Sequence, residues 1–136
     1  MIPTDGERTP LIRTDFSDDT AWERVVEAVS KPSPEGFLAN LHPVNDRRYA
    51  EVTPEQLAEE ADADTNLVLL IIADGRTLSD PEMPLLCVDP IPPRGQFRCI
   101  AAQLWGVENN VSLANMDFSE FAAAVEADGV FRGFRD

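Results

Sequence analysis

Asn66-Leu67-Val68-Leu69-Leu70-Ile71-Ile72-Ala73 sets six large aliphatic residues in a row. The run lacks the polar alternation of a half-buried strand and falls far short of the ~20 residues that span a bilayer. It reads as a strand buried on both faces, hence central in its sheet and parallel to its neighbours. Asp74-Gly75 ends it. Such a strand needs helices over both sides of its sheet, and the flanking sequence supplies amphipathic segments. Upstream, Thr53-Pro54-Glu55-Gln56 is a helix start. Thr caps, Pro occupies the first turn, and Gln56 can reach back. The helix runs from Leu57 to about Ala61 and is very acidic. Before it, Gly36–Val44 (GFLANLHPV) places Phe37, Ala39 and Leu41 on one face, the period of a half-buried strand, and Asn45-Asp46-Arg47-Arg48 makes a turn. Earlier still, Trp22, Val25, Val26 and Val29 form one helical stripe led by Asp18 and Asp19 and stopped by Pro32 and Pro34. Pro10–Asp15 reads as the first strand.

Downstream of a loop carrying Asp80-Pro81, Leu85–Val88 and Gln96–Ile100 read as antiparallel strands joined by the proline-rich Asp89–Gly95 connection. Ala101 to about Val111 is expected to be helical, with Leu104, Trp105 and Val111 inward, although Gly106 weakens that helix. Asp117-Phe118-Ser119-Glu120 has the form of a capping box opening a last helix, whose apolar face is Phe118, Phe121, Ala122 and Val125 and whose C-cap is Gly129. Val130–Phe134 then runs back as an extended edge segment. The order predicts an α/β fold, a three-layer domain with a mixed sheet of about five strands. Its first half is β-α-β-α-β and parallel; its second half adds antiparallel edge strands and two C-terminal helices. An α+β sandwich is the alternative. Residues 1–9 read as a flexible leader and 10–136 as a single globular domain.

Twenty-five acids against eleven bases leave a net charge of −14. That argues against nucleic acid, whose phosphates need Lys and Arg, and against anionic membrane surfaces. It favours solubility, and it suits a basic protein partner reached by electrostatic steering. Ten of the eleven bases are arginine, so a Schiff base or P-loop would have to use Lys31, beside Pro32 in a loop. Cys87 and Cys99 lack a CxxC spacing and sit in apolar runs, which reads as reduced core thiols in a cytoplasmic protein without a signal peptide. If their strands pair, a redox bridge is the alternative.

Chemistry-bearing groupings are few. Asp15, Asp18 and Asp19 follow the first strand and Asp74 follows the central one, at the sheet edge where α/β proteins bind ligands. Carboxylates there could hold Mg²⁺ with help from water. The simpler reading makes Asp18 and Asp19 helix-start acids and Asp74 a turn residue before Gly75. His42, the single histidine, stands in His-Pro near a strand end; with no GxSxG, and one His plus two Cys for ligands, neither a serine hydrolase nor a zinc centre is indicated. No GxGxxG or GxxxxGK[ST] is present. Asn109, Asn110 and Asn115 pack three amides into seven residues, suiting a buried polar network at a helix junction or paired donors and acceptors for a ligand. Arg132, between Phe131 and Gly133, could clamp an anion but has many carboxylates to pair with. With Arg13, Asp15 and Asp74, these are the candidate binding residues; no catalytic residue, metal ligand or cofactor is indicated.

RTDFSDDTAW (13–22), Thr53-Pro54-Glu55-Gln56-Leu57, Ala73-Asp74 with Thr77-Leu78, Pro84-Leu85-Leu86 with Val88-Asp89, Phe97-Arg98 and ENNVSLANMDFSEFA with DGVFRGF (108–134) resemble a domain-of-unknown-function family frequent in actinobacteria. Lys31–Gly36 and Glu59–Asp64 fit that pattern least and read as variable loops. The resemblance implies an intracellular, single-domain bacterial protein and brings no catalytic residues with it. The resulting expectation is a non-enzymatic, acidic interaction module, of the immunity type or another kind, that meets a basic partner. A metal-assisted enzyme or small-ligand binder using the strand-end carboxylates is the alternative. The oligomeric state is open.

Overall fold

The computed structural model describes residues 2, 7–62 and 67–134. Six strands make one mixed sheet in the order β2-β1-β3-β4-β5-β6, one strand more than expected. β1 (Thr9–Arg13) runs parallel to β2 (Leu41–Val44) on one side and to β3 (Leu70–Ala73) on the other, so that Leu11 faces Pro43 and Ile71. β2 is an edge strand, which is why it tolerates Pro43 with its missing N–H. α1 (Asp19–Val29) connects β1 to β2, and α2 (Pro54–Asp62) connects β2 to β3.

Alternation along the strands divides the core in two. Leu11, Ile71, Ala73, Leu85, Cys87, Phe97 and Cys99 point to one face, where they meet Trp22, Val25 and Val29 of α1. Ile12, Leu70, Ile72, Leu86 and Val88 point to the other and meet Leu57, Ala58 and Ala61 of α2 together with Tyr49. Both sets of β3 side chains are buried, each large one contributing about 1.5–3 kcal/mol of transfer free energy, but the strand is shorter than the aliphatic run: Leu67–Leu69 precede it and Val68 is exposed. The first crossover moves from β1 to β2 with α1 on one face; the second moves back across β1 to β3 with α2 on the other, so both have the same hand. The carboxyl ends of β1 and β3 lie side by side, and a cleft lies beside them.

The second half departs from parallel order. Residues 74–84 are too few for a crossover, which needs a dozen or more, so the chain turns straight back into β4 (Leu85–Val88), antiparallel to β3. The expectation that β3 is parallel to both neighbours therefore holds only for β1. β5 (Gln96–Cys99) is antiparallel to β4, with Leu85 opposite Cys99 and Cys87 opposite Phe97. A short 3₁₀ turn (Ala101–Gln103) leads into α4 (Leu104–Ser112), then α5 (Phe118–Ala122), then β6 (Val130–Phe131), parallel to β5 at the far edge. Leu104, Val107 and Val111 of α4 and Phe121 of α5 join the α1 side of the core.

Several local expectations are corrected. Asp74-Gly75 does not merely end β3. Asp74 caps a short helix, α3 (Gly75–Ser79), exchanging hydrogen bonds with Thr77. Gly36–Asn40 is not strand: Ser33 closes the segment into a turn, its N–H donating to Phe37 O (2.7 Å) and its Oγ accepting from Phe37 N–H (3.0 Å). Phe37 and Leu38 are left exposed, and only Ala39 is buried. Trp105 is half-buried, and Phe37 stacks on it with ring centroids 5.5 Å apart. α5 ends at Ala122, well before Gly129. Gly129 (φ +81°) closes a 126–130 turn instead, with Glu126 N–H donating to Val130 O. Of the leader expected over 1–9, residues 1 and 3–6 lie outside the described residues; Ile2 is buried against the α2 side of the core and Thr9 opens β1. The start of the aliphatic run at Asn66 also lies outside them, as do residues 63 and 64 of the acidic run.

Candidate functional site

The β1/β3 edge gathers the strand-end charges. Arg13, the last residue of β1, is 1% exposed. Its guanidinium donates to Asp15 O (2.7 Å), Asn45 Oδ1 (3.2 Å) and Asp19 Oδ1 (2.8 Å). It also lies over the Phe16 ring, 4.4 Å from its centroid, while Arg47 approaches the same ring at 5.3 Å. The side chain thus ties the ends of β1 and β2 to the first turn of α1. Asp18 caps that helix, accepting from Ala21 N–H.

Asp15 and Asp74 come together. A cleft of about 470 Å³ between them is lined by Thr14, Ser17, Glu51 and Gly75 as well. Gly75 makes this approach possible, because a Cβ there would lie 2.9 Å from Asp15 Oδ2. Both carboxylates are already engaged. Asp74 takes a bidentate pair from Arg98 of β5, at 2.9 and 2.7 Å, and caps α3 through Thr77. Asp15 accepts from the Ser17 hydroxyl and N–H. The Ser17 hydrogen bonds hold the Asp15 carboxyl below the usual range. Burial works to raise Asp74, but the Arg98 and Thr77 hydrogen bonds outweigh it and hold this carboxyl low too. Both are therefore ionised at neutral pH, which suits neither to donate a proton as a general acid. Among the described residues, no three His, Cys, Asp or Glu side chains gather in a group that could hold a metal ion.

The other candidates lie elsewhere. Asn109 Nδ2 donates to Leu38 O (2.9 Å) and Asn110 Nδ2 to Gly106 O (2.7 Å). Asn110 O accepts from Asn115 N–H, closing the end of α4. Of these amides, Asn109 also reaches Glu108 Oε1 (3.3 Å), and Glu108 binds Thr9 and Asn40 at the amino ends of β1 and β2, the sheet edge opposite Asp15. Arg132 is held by Glu82, Glu126 and Asp128, each within 2.9 Å. His42 Nδ1 lies 3.2 Å from the Arg8 guanidinium. Cys87 and Cys99 are buried free thiols on adjacent strands. Burial pushes the Cys87 thiol up to about 12 and Cys99 well above its ordinary value, so neither is an activated nucleophile.

Two residues that organise these sites, Arg98 and Glu108, belong to the motifs of the family resemblance but are not among the candidate binding residues. Arg98 alternates with Phe97 and Cys99 along β5, a charged residue between core positions. Glu108 is 2% exposed on the inward face of α4 and carries no sequence mark of burial. It accepts from the Thr9 and Ser112 hydroxyls (2.9 and 2.6 Å) and from Asn40 N–H (2.6 Å).

No helix among the described residues is long and apolar enough to cross a membrane. The model of a family described as Domain of unknown function (DUF6924) matches residues 8–134, and the chain belongs to that family. A search of curated proteins found no match.

Proposed function

We propose that this member of the DUF6924 family is a non-enzymatic, acidic protein-interaction module of the cytoplasm whose partner is a basic protein. One observation carries the reading: the charges gathered where an α/β sheet would build an active site are consumed within the fold. Asp74 is held by Arg98 and Thr77, Asp15 by Ser17, and Arg13 by Asp19 and Asn45. The net charge of −14 supplies long-range attraction for a basic protein, and screening weakens it as salt rises. Affinity capture at low and moderate salt tests the reading. The expected result is one near-stoichiometric basic protein that is lost as salt rises; recovery of no basic protein at low salt overturns it.

A second reading, a small-ligand or metal-assisted site, draws on the convergence of Asp15 and Asp74 on one cleft. Its test is thermal stability with and without Mg²⁺. Stabilisation that disappears in Asp15→Asn favours it over the interaction module.

A further inference from the structure

We propose that the partner docks on the apolar cleft beside Trp105, and that its docking element is a basic segment inserting one large aliphatic or aromatic side chain. The proposal rests on the interaction-module reading and gives it a surface. The cleft, about 420 Å³, is lined by Val29, Pro32, Met83, Ile100, Ala102 and Trp105. Phe37 (53% exposed) stacks on the lining residue Trp105, and Leu38 (48%) follows it in the chain. Phe37 is not loosely displayed. The Ser33 turn holds its backbone at both N–H and O, and its ring lies nearly parallel to Trp105, at 10°. Leu38 is pinned through its carbonyl, which accepts from Asn109 Nδ2. An aromatic pair held rigid before binding loses little conformational entropy on contact, and aromatic anchors beside a pocket dominate interface energetics.

Charge decides the occupant. Glu82 and Lys31 line the cleft, Glu27 pairs with Lys31, Glu35 follows the lining residue Pro34, and Glu126 and Asp128 share Arg132 with Glu82. Lys31 and Arg132 are the cations among them. This acidic surround, within a chain of net charge −14, repels a second copy and attracts lysine and arginine. An apolar side chain flanked by basic residues satisfies both the cleft and this surround.

The test selects a random-peptide display library on the immobilised full-length protein at low salt, then measures the enriched peptides against three variants. Ala102→Arg puts a bulky cation into the cleft from an exposed position; Phe37→Ser removes the aromatic stacked on Trp105. Glu59→Lys changes an exposed acid on α2, in the layer on the other side of the sheet. Unfolding midpoints of all three establish that they fold. The expected peptides share one large apolar residue beside Lys or Arg. They lose about tenfold or more in affinity against Ala102→Arg and Phe37→Ser and change less than about twofold against Glu59→Lys. Basic peptides that weaken on Glu59→Lys but not on Ala102→Arg overturn the docking surface and leave the acidic module standing. Failure to enrich basic peptides overturns both. Dimerisation of the wild type that Ala102→Arg abolishes makes the occupant a second copy, against the proposal.

Discussion

At the scale of single residues, the fold relies on charges whose partners lie far away in sequence. Arg98 and Asp74, 24 positions apart, form a bidentate pair with side chains 16% and 27% exposed. Arg98→Met leaves a half-buried carboxylate without its cation and is expected to cost about 2–3 kcal/mol, read from urea unfolding at neutral pH. The pair also gives stability a pH dependence of known sign. Asp74 titrates lower in the folded chain than in the unfolded one, so its contribution is complete above the unfolded value, about pH 4, and is lost as pH falls through the folded value. Asp15, also lowered, acts in the same direction. The contribution of these two carboxylates is therefore expected to be complete from neutral pH to about 4 and to fall below that, with a shallower acid-side fall of unfolding free energy in Arg98→Met than in the wild type. Glu108 is a harsher case: buried, bound by two hydroxyls and a backbone N–H, and the link between α4 and the entries of β1 and β2. Glu108→Ala strands those donors and is expected to cost about 2–4 kcal/mol in the same assay. Glu108→Gln keeps an acceptor oxygen and should cost markedly less.

At the scale of elements, helix ends are set by short-range chemistry. Thr53 and Gln56 exchange hydrogen bonds at 3.0 and 3.1 Å and start α2 where the sequence places it. Thr53→Ala is expected to lower stability by about 1 kcal/mol, with the unfolding midpoint shifted and the denaturant slope unchanged. Asp18 caps α1, and Glu120 reaches back to Asp117 N–H at 2.8 Å to start α5. Gly129 marks the opposite situation, a turn that needs left-handed backbone at φ +81° with open space around the missing Cβ. Gly129→Ala should therefore cost about 1 kcal/mol through backbone strain alone. A loss much above that would mean that the entry to β6 depends on more than this one torsion.

At the scale of the whole molecule, fourteen uncompensated negative charges oppose compaction. Added NaCl screens that repulsion, so the melting temperature is expected to rise between low and physiological salt. A melting temperature that falls would mean that the internal ion pairs at Arg13, Arg98 and Arg132 outweigh the repulsion. The core has its own reporter. Cys87 and Cys99 are buried with their thiols pushed upward, so their reaction with a disulfide reagent is expected to be slow in the native protein and to follow unfolding.

Local signals alone determined much of this protein. The aliphatic run announced a strand covered on both faces, which holds for Leu70–Ala73, while Leu67–Leu69 lie outside the strand and Val68 is exposed. The capping patterns at Thr53 and Asp117 and the stripe from Trp22 to Val29 announced helices, because caps and periodicity act within a few residues. The convergence of Asp15 and Asp74 was half legible, since both follow strands that end at one edge. Tertiary structure decided what those carboxylates do. Arg98 reaches Asp74 only because β4 and β5 fold back beside β3, and that reversal follows from a connection too short to cross over. Glu108 is buried only because Thr9 and Asn40, 99 and 68 positions away, bring it donors. Phe37 is exposed because Ser33 closes a turn in a segment whose alternation reads as strand. The physical reason is common to all three. Propensity and capping act over one or two helical turns, whereas the partner of a buried charge or a displayed aromatic is chosen by which strands the fold makes neighbours.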